Sequence, residues 1–256
     1  MMPASDKKKA TVIIPARFES TRFPGKPLAE IDGKPLIYYS YRAVSKSTRV
    51  GEVIVATDDR RIEEAVRAFG GKVVLTSSAP RTGTDRIAEA VEHLPGEWFV
   101  NVQGDEILLQ DGFLDPLIER FVRDPALQMG TYKREISGWD EVLNPNVVKV
   151  VTDCNDDALY FSRAPIPYLR DRAEGEPLPP RSYFRHFGIY LYRRELLKQY
   201  ANWPESPLER IEKLEQLRVL ERGIRIRVME TASDSLRVDV PGDLDPIRNL
   251  LKESHG

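Results

Sequence analysis

The residues best suited to chemistry lie in one run, Ile13-Ile14-Pro15-Ala16-Arg17-Phe18-Glu19-Ser20-Thr21-Arg22-Phe23-Pro24-Gly25-Lys26-Pro27-Leu28. A hydrophobic strand pattern feeds a loop that carries Arg17, Arg22 and Lys26 within ten residues. Gly25 lets the backbone approach a ligand closely. Cationic side chains and backbone amides at a strand terminus make an anion cradle. It is not a nucleotide-binding P-loop, because Pro27 follows Gly25-Lys26 and the preceding glycine is missing. The pattern fits a triphosphate held mainly by side chains. A solvated basic loop is the bland alternative.

Further groups fall on separate stretches. Asp105, in Gln103-Gly104-Asp105-Glu106, follows the strand pattern Trp98 to Val102 and should project into a ligand crevice. A carboxylate beside a triphosphate repels it unless a hard cation lies between, and Mg²⁺ suits such oxygen ligands. An Asp in an ordinary turn is the alternative. Thr82-Gly83-Thr84-Asp85-Arg86 offers hydroxyls and a flexible glycine to a base edge, and equally a helix start capped by Thr84. Arg163 follows the strand pattern Ala158 to Phe161 and could pair with a carboxylate. His186 and Tyr190 share a face if the strand Gly188 to Tyr192 extends back that far. Glu215 and Gln216 lie in a leucine-rich helical pattern. Read alone, His186 and Tyr190 are more often structural, and Val238-Asp239 reads as a helix cap.

The elements that must position these groups are legible in outline. Thr11 to Ile14, Val53 to Ala56, Lys72 to Leu75 and Trp98 to Val102 read as strands buried on both faces. Helical patterns at Leu36 to Ser45, Arg61 to Phe69 and Asp85 to His93 alternate with them. That alternation predicts an α/β fold with a mostly parallel sheet and right-handed crossovers. Ligands then gather beyond the carboxyl ends of the strands, at loops starting at Pro15, Thr57, Thr76 and Gln103. The second half reads as mixed. Strands are expected at Val147 to Val151, Ala158 to Phe161, Gly188 to Tyr192, Ile224 to Met229 and Leu236 to Val238. Helices are expected at Leu208 to Glu221 and Pro241 to Glu253, and a polar, proline-rich stretch at Arg170 to Ser182 has the length of a lid, an interface arm or a mobile segment.

Composition narrows the class. A chain of 256 residues can bury roughly three quarters of its unfolded surface, so it needs no metal or disulfide staple. Thirty-eight Lys and Arg against 40 Asp and Glu give a formal charge of −2, with no global field for nucleic acid. No apolar run approaches the ~18 residues that span a bilayer. Lys7 to Ile14 superficially resembles a signal peptide, but Pro15 and Arg17 end the apolar stretch too early. Residues 1–9 are expected to be a flexible tail and the protein cytoplasmic. The single cysteine, Cys154, excludes an intrachain disulfide, fits a reducing compartment and is expected to be a small buried hydrophobe.

Taken together, these blocks resemble the sugar nucleotidyltransferases, and in order and spacing the 3-deoxy-manno-octulosonate (Kdo) cytidylyltransferase family, over about residues 11 to 250. The carrying blocks are Pro15 to Leu28, Ala56-Thr57-Asp58, Gly83 to Arg86, Asn101 to Glu106, Asn144 to Val151, Ala158 to Arg163, His186 to Tyr190, Ser206 to Leu217 and Val238-Asp239. The resemblance implies a Rossmann-like nucleotidyltransferase fold in one domain, 10–256. Within it, a subdomain at about 137–200 would contribute to substrate binding and a homodimer interface. It also implies transfer of CMP from CTP to the anomeric C2 hydroxyl of Kdo, an acidic eight-carbon sugar, for lipopolysaccharide synthesis.

By that resemblance Lys26, Arg17, Arg22 and Asp105 are catalytic. Pro15, Ala16, Thr82, Gly83, Thr84 and Asp85 join Arg17, Arg22, Lys26 and Asp105 around the nucleotide, with the turn at Thr82 and backbone near Ala16 reading cytosine. Gln103, Arg163, His186, Tyr190, Glu215 and Gln216 surround the Kdo carboxylate and hydroxyls, with Lys149 and Ser162 as neighbours. Asp105 and Asp239 hold Mg²⁺. The chain departs from the family pattern at Ile107, Arg237, Val240 and Gly242. These changes bear on the acceptor more than on the nucleotide. An 8-amino derivative of Kdo, another acidic acceptor, or a non-catalytic nucleotide- or sugar-binding regulator are the rival readings.

Overall fold

The computed structural model describes residues 9–19, 23–80, 82–107, 110–170, 175–233, 236–238 and 240–253. Arg22 and Asp239 lie outside the described residues, as do positions 1–8 of the expected tail and 171–174 of the proline-rich stretch.

The first half runs β1 (Ala10–Ala16), a 3₁₀ turn (Lys26–Leu28), β2 (Glu30–Ile31), β3 (Lys34–Pro35), α1 (Leu36–Ser45), β4 (Val50–Thr57), α2 (Arg60–Ala68), β5 (Lys72–Leu75), α3 (Gly83–Val91), β6 (Trp98–Asn101), β7 (Glu106–Ile107) and α4 (Asp115–Arg123). The second runs β8 (Met129–Glu135), α5 (Trp139–Leu143), β9 (Lys149–Thr152), β10 (Ala158–Ser162), β11 (Phe184–Arg193), α6 (Arg194–Tyr200), α7 (Pro207–Glu212), α8 (Leu217–Leu220), β12 (Ile226–Glu230), β13 (Leu236–Arg237), a 3₁₀ turn (Pro241–Asp243) and α9 (Leu244–Glu253).

One nine-stranded sheet organises both halves, in the order β10-β9-β11-β6-β1-β4-β5, with β8 also on β11 and β12 on β8. The β6, β1, β4 and β5 strands are mutually parallel, whereas β11 runs antiparallel to β6, β8 and β9. The long β11 is therefore the seam between a parallel and a mixed region. Alternation along β1 sends Val12 and Ile14 to one face and Ile13 to the other. The first face packs against α1, α2 and α4 through Ile37, Ile62, Val66, Leu117 and Phe121. The second packs against α3, α6 and α8 through Ile87, Val91, Leu196, Leu197 and Val219. A separate cluster joins Ile31, Leu36 and Ile107 to Val238, Leu244 and Ile247, so the chain's last helix closes over β7 and the start of α1.

The expected elements are present, with corrections. The β5 strand is not buried on both faces: it ends the sheet, and Leu75 is 40% exposed. Cys154 is exposed, in the β9–β10 turn where Asp153 accepts backbone N–H bonds from Asn155 and Asp157. The helix expected over Leu208 to Glu221 is two helices, α7 and α8, broken at Lys213 with φ 55°. Arg163 supplies the reason. Its Nε donates to the Glu212 carbonyl at 2.8 Å and its Nη2 to the Lys213 carbonyl at 3.4 Å, taking acceptors that a continuing helix would offer its own N–H groups.

Candidate active site

The cationic loop is folded back on itself. The Gly25 N–H donates to the Phe18 carbonyl at 2.8 Å, and Gly25 adopts φ +70° against the Phe18 ring, where a Cβ would sit 3.1 Å from a ring carbon. Arg61 of α2 covers the same ring, 3.4 Å from its centroid. This closure delivers Lys26 to the end of β1. Its ammonium donates to Asp105 Oδ2 at 2.6 Å and to the Val238 carbonyl at 2.9 Å. The Val238 N–H in turn donates to the Asp105 carbonyl at 3.3 Å. Segments 79 and 212 residues from Lys26 thus meet on one ammonium. Arg17 is exposed just beyond β1.

The turn at Thr82 starts α3, but Thr82, not Thr84, is its cap: the Thr82 hydroxyl accepts the Asp85 N–H at 3.1 Å. Thr84 is buried in the first turn, and its N–H donates to the Glu215 carboxylate at 3.0 Å. Gly83 faces Pro15 and Gln103, whose atoms would lie 3.4 to 3.7 Å from a Cβ there, so the turn and the end of β1 are in close contact. Asp85 is engaged by Arg218 at 3.1 Å. Arg218 also grips Glu209 through two bonds of 2.7 and 2.6 Å.

Beyond the carboxyl end of β6 opens a cavity of ≈ 740 Å³, within the range of small-ligand sites. Gln103, Arg163, His186, Tyr190, Glu215 and Gln216 all line it. Asp105 is not on its wall, although its neighbours Gln103 and Glu106 are. The register of β11 shifts between His186 and Tyr190, and the two rings stay 5.3 Å apart on the cavity side. Glu215 and Gln216 reach the cavity because they sit in the break between α7 and α8 rather than on a helix.

The electrostatics of this wall are set by burial. Burial, with the Arg185 charge second, pushes the His186 pKa down to about 3, so the ring is neutral at ordinary pH. The Thr131 hydroxyl donates toward the Phe187 and Ile189 carbonyls at 3.0 and 2.7 Å and meets His186 Nε2 at 3.1 Å. That network assigns the ring proton to Nε2 and leaves Nδ1 an acceptor. The Gln216 amide nitrogen is buried with no hydrogen-bond partner among the described residues. Arg163 donates to the carbonyls of Pro145, Glu212 and Lys213, so it clamps backbone with three of its N–H groups.

Sequence reasoning assigned no role to Asn101, Glu106, Asn144 or Asn146, which also line the cavity. Asn101 accepts from Gln103 Nε2 at 3.1 Å and so orients that amide. All four fall in blocks that carry the resemblance, which was the available signal. Of the departures from the family pattern, Ile107 is fully buried beside Val238, whereas Val240 is 43% exposed.

Comparison with known proteins decides the family. A cytidylyltransferase family model matches residues 11–226. The 3-deoxy-manno-octulosonate cytidylyltransferase of Geobacter metallireducens is 51% identical over 250 residues, covering 95% of this chain and 98% of that protein. The chain belongs to the 3-deoxy-manno-octulosonate cytidylyltransferase family. Its namesake from Geotalea daltonii is also 51% identical, over 96% of this chain and 99% of that protein. A solved CMP:2-keto-3-deoxy-manno-octonic acid synthetase in complex with CTP superposes with a TM-score of 0.88 at 43% identity, covering 96% of this chain and all of that one. The likeness to HddC from Yersinia pseudotuberculosis, TM-score 0.68 at 16% identity over 94% of this chain and 99% of that one, is of fold alone. Among the described residues no helix is long and apolar enough to cross a membrane, and no three His, Cys, Asp or Glu side chains gather as a metal site.

Proposed function

We propose that this member of the family transfers CMP from CTP to the anomeric C2 hydroxyl of Kdo, for lipopolysaccharide synthesis. A bond forms between that hydroxyl oxygen and the α-phosphorus, the hydroxyl proton passes to solvent, the bond from the α-phosphorus to the bridging oxygen breaks, and pyrophosphate leaves with that oxygen and its electron pair. The observation that carries the reading is the convergence of six polar side chains on one cavity beside the Lys26–Asp105 pair, with the Gln216 amide still lacking an acceptor. A buried donor of that kind calls for a polar ligand, and a hydroxylated acid supplies one.

Lys26, Arg17 and Arg22 stabilise the charge that builds on the phosphates. Pro15, Ala16, Thr82, Gly83 and Thr84 hold the nucleotide, with Asp85 acting through its bridge to Arg218. Gln103, Arg163, His186, Tyr190, Glu215 and Gln216 hold the sugar acid. Burial leaves His186 too weakly basic to take up a proton at ordinary pH, so it orients hydroxyls rather than moving the proton. Phosphoryl-type transfer depends on positioning and charge neutralisation, so no histidine base is required. Asp105 offers hard oxygen donors, and its Lys26 partner shows that positive charge is stabilised there; with Asp239, next in sequence to Val238, it suits Mg²⁺. Held there, that ion would acidify the attacking hydroxyl, while a separate magnesium ion would supply positive charge to the phosphates.

Pyrophosphate release with CTP, magnesium and a panel of Kdo, 8-amino-Kdo and a sialic acid tests the assignment. Kdo is expected to give the highest kcat/KM. A higher value for another acceptor reassigns the substrate, and CTP binding without release for any acceptor supports the regulator instead.

The protein is proposed to work in the cytoplasm, where CTP is available. A homodimer through 137–200 is proposed from the family resemblance. Sedimentation should give a dimer at micromolar concentration, and a monomer there refutes it.

A further inference from the structure

Lys149 is fully buried, yet it lies outside the cavity wall and the chemistry above does not use it. Its ammonium donates to the carbonyls of Asn144 at 3.0 Å, Val147 at 2.6 Å and Arg163 at 2.6 Å. An ammonium has three donors and no acceptor, so all its capacity is engaged by backbone. Burying a charge in this way is unfavourable unless the bonds it makes are needed.

The carbonyls it holds belong to two walls of the cavity, the Asn144–Val148 segment and Arg163. Arg163 itself donates to the Pro145 carbonyl at 3.0 Å, and the His186 N–H to the Val148 carbonyl at 2.8 Å. The carbonyls of Asn144, Pro145, Val147 and Val148 are therefore all held by hydrogen bonds, those of Asn144 and Val147 by Lys149 from outside the wall. Lys149 joins this segment to Arg163's own backbone through a single ammonium. Its place at the start of β9, between two strands, explains how: it is paired with Arg185 on β11 and with Ser162 on β10. Glutamine has only two donors, and a planar guanidinium cannot point three ways from one atom.

We propose that Lys149 is a positioning residue that sets the acceptor side of the cavity, acting through these three carbonyls without touching the acceptor. This rests on the assignment of the cavity to the sugar acid.

The test compares full-length wild type, Lys149→Met and Lys149→Gln in steady-state turnover with Kdo and CTP, and in amide hydrogen exchange. Lys149→Met is expected to raise KM for Kdo at least tenfold and Lys149→Gln, with two donors, by an intermediate factor. KM for CTP should stay within twofold for both. Exchange should accelerate in peptides covering 143–149 and not in those covering 82–91. An acceptor KM within twofold of wild type, a parallel rise in both KM values, or acceleration spread over both peptides overturns the proposal. If Lys149→Met fails to fold, Lys149→Gln decides, and failure of both contradicts a role confined to positioning. Wild type without turnover on Kdo would instead sink the substrate assignment, and the exchange arm would still report whether Lys149 holds the wall.

Discussion

Asp105→Ala is expected to lower kcat/KM more than about 100-fold, the scale on which enzymes lose a preorganised electrostatic group. Asp105 is 6% exposed, and Lys26 contacts it at 2.6 Å in a charge-assisted bond. Without the carboxylate, the ammonium retains only the Val238 carbonyl among the acceptors described, and the proposed metal site loses one of its two ligands. The measurement is pyrophosphate release at saturating magnesium, with melting recorded alongside to separate misfolding from lost catalysis. Lys26→Ala in the Asp105→Ala background should cost much less than in wild type, because groups that act as one unit are not additive. A loss below tenfold would show that Asp105 is structural.

The second large effect is on stability. Arg218→Met should destabilise the fold by about 3–5 kcal/mol, the usual cost of removing one partner from a buried ion pair, and lower the melting temperature by on the order of 10 °C. The Arg218 and Glu209 side chains are 6% and 5% exposed, so solvent screens the pair little. Met would leave the Glu209 carboxylate without its bidentate partner and release Asp85 at the start of α3. It would also remove the guanidinium that sits 4.1 Å from the Tyr200 ring centroid. Arg218→Lys should recover little, since an ammonium cannot reproduce the fork. Thermal unfolding reads the effect, and a shift under about 3 °C would contradict it.

Periodicity made the parallel half of the fold legible because β1, β4 and β6 are buried on both faces and read as continuous β-branched runs. It failed where a tertiary contact overrides local pattern. Nothing in Ile211-Glu212-Lys213-Leu214 breaks a helix, and the interruption depends on Arg163, about fifty residues away. The β8 strand, Met-Gly-Thr-Tyr-Lys-Arg-Glu, mixes charges with apolar residues and hides its burial. Its Lys133 is buried by donating to Thr152 and Asp156, which lie beyond the strand's own sequence. At the site, the cationic loop and Asp105 could be argued from residue chemistry. The sugar-acid set could not: His186, Tyr190 and Gln216 were assigned through family resemblance, since no spacing rule connects β11 to the α7–α8 break.

The segment from β13 through α9 acts as a clasp on the cationic loop. Lys26 reaches across to the Val238 carbonyl, and Leu244 and Ile247 pack on Ile31 and Leu36. Truncation after residue 235 would delete one bond to the Lys26 ammonium and strip an apolar cover from α1. The segment after residue 235 is therefore a working part of the site and not a dispensable tail.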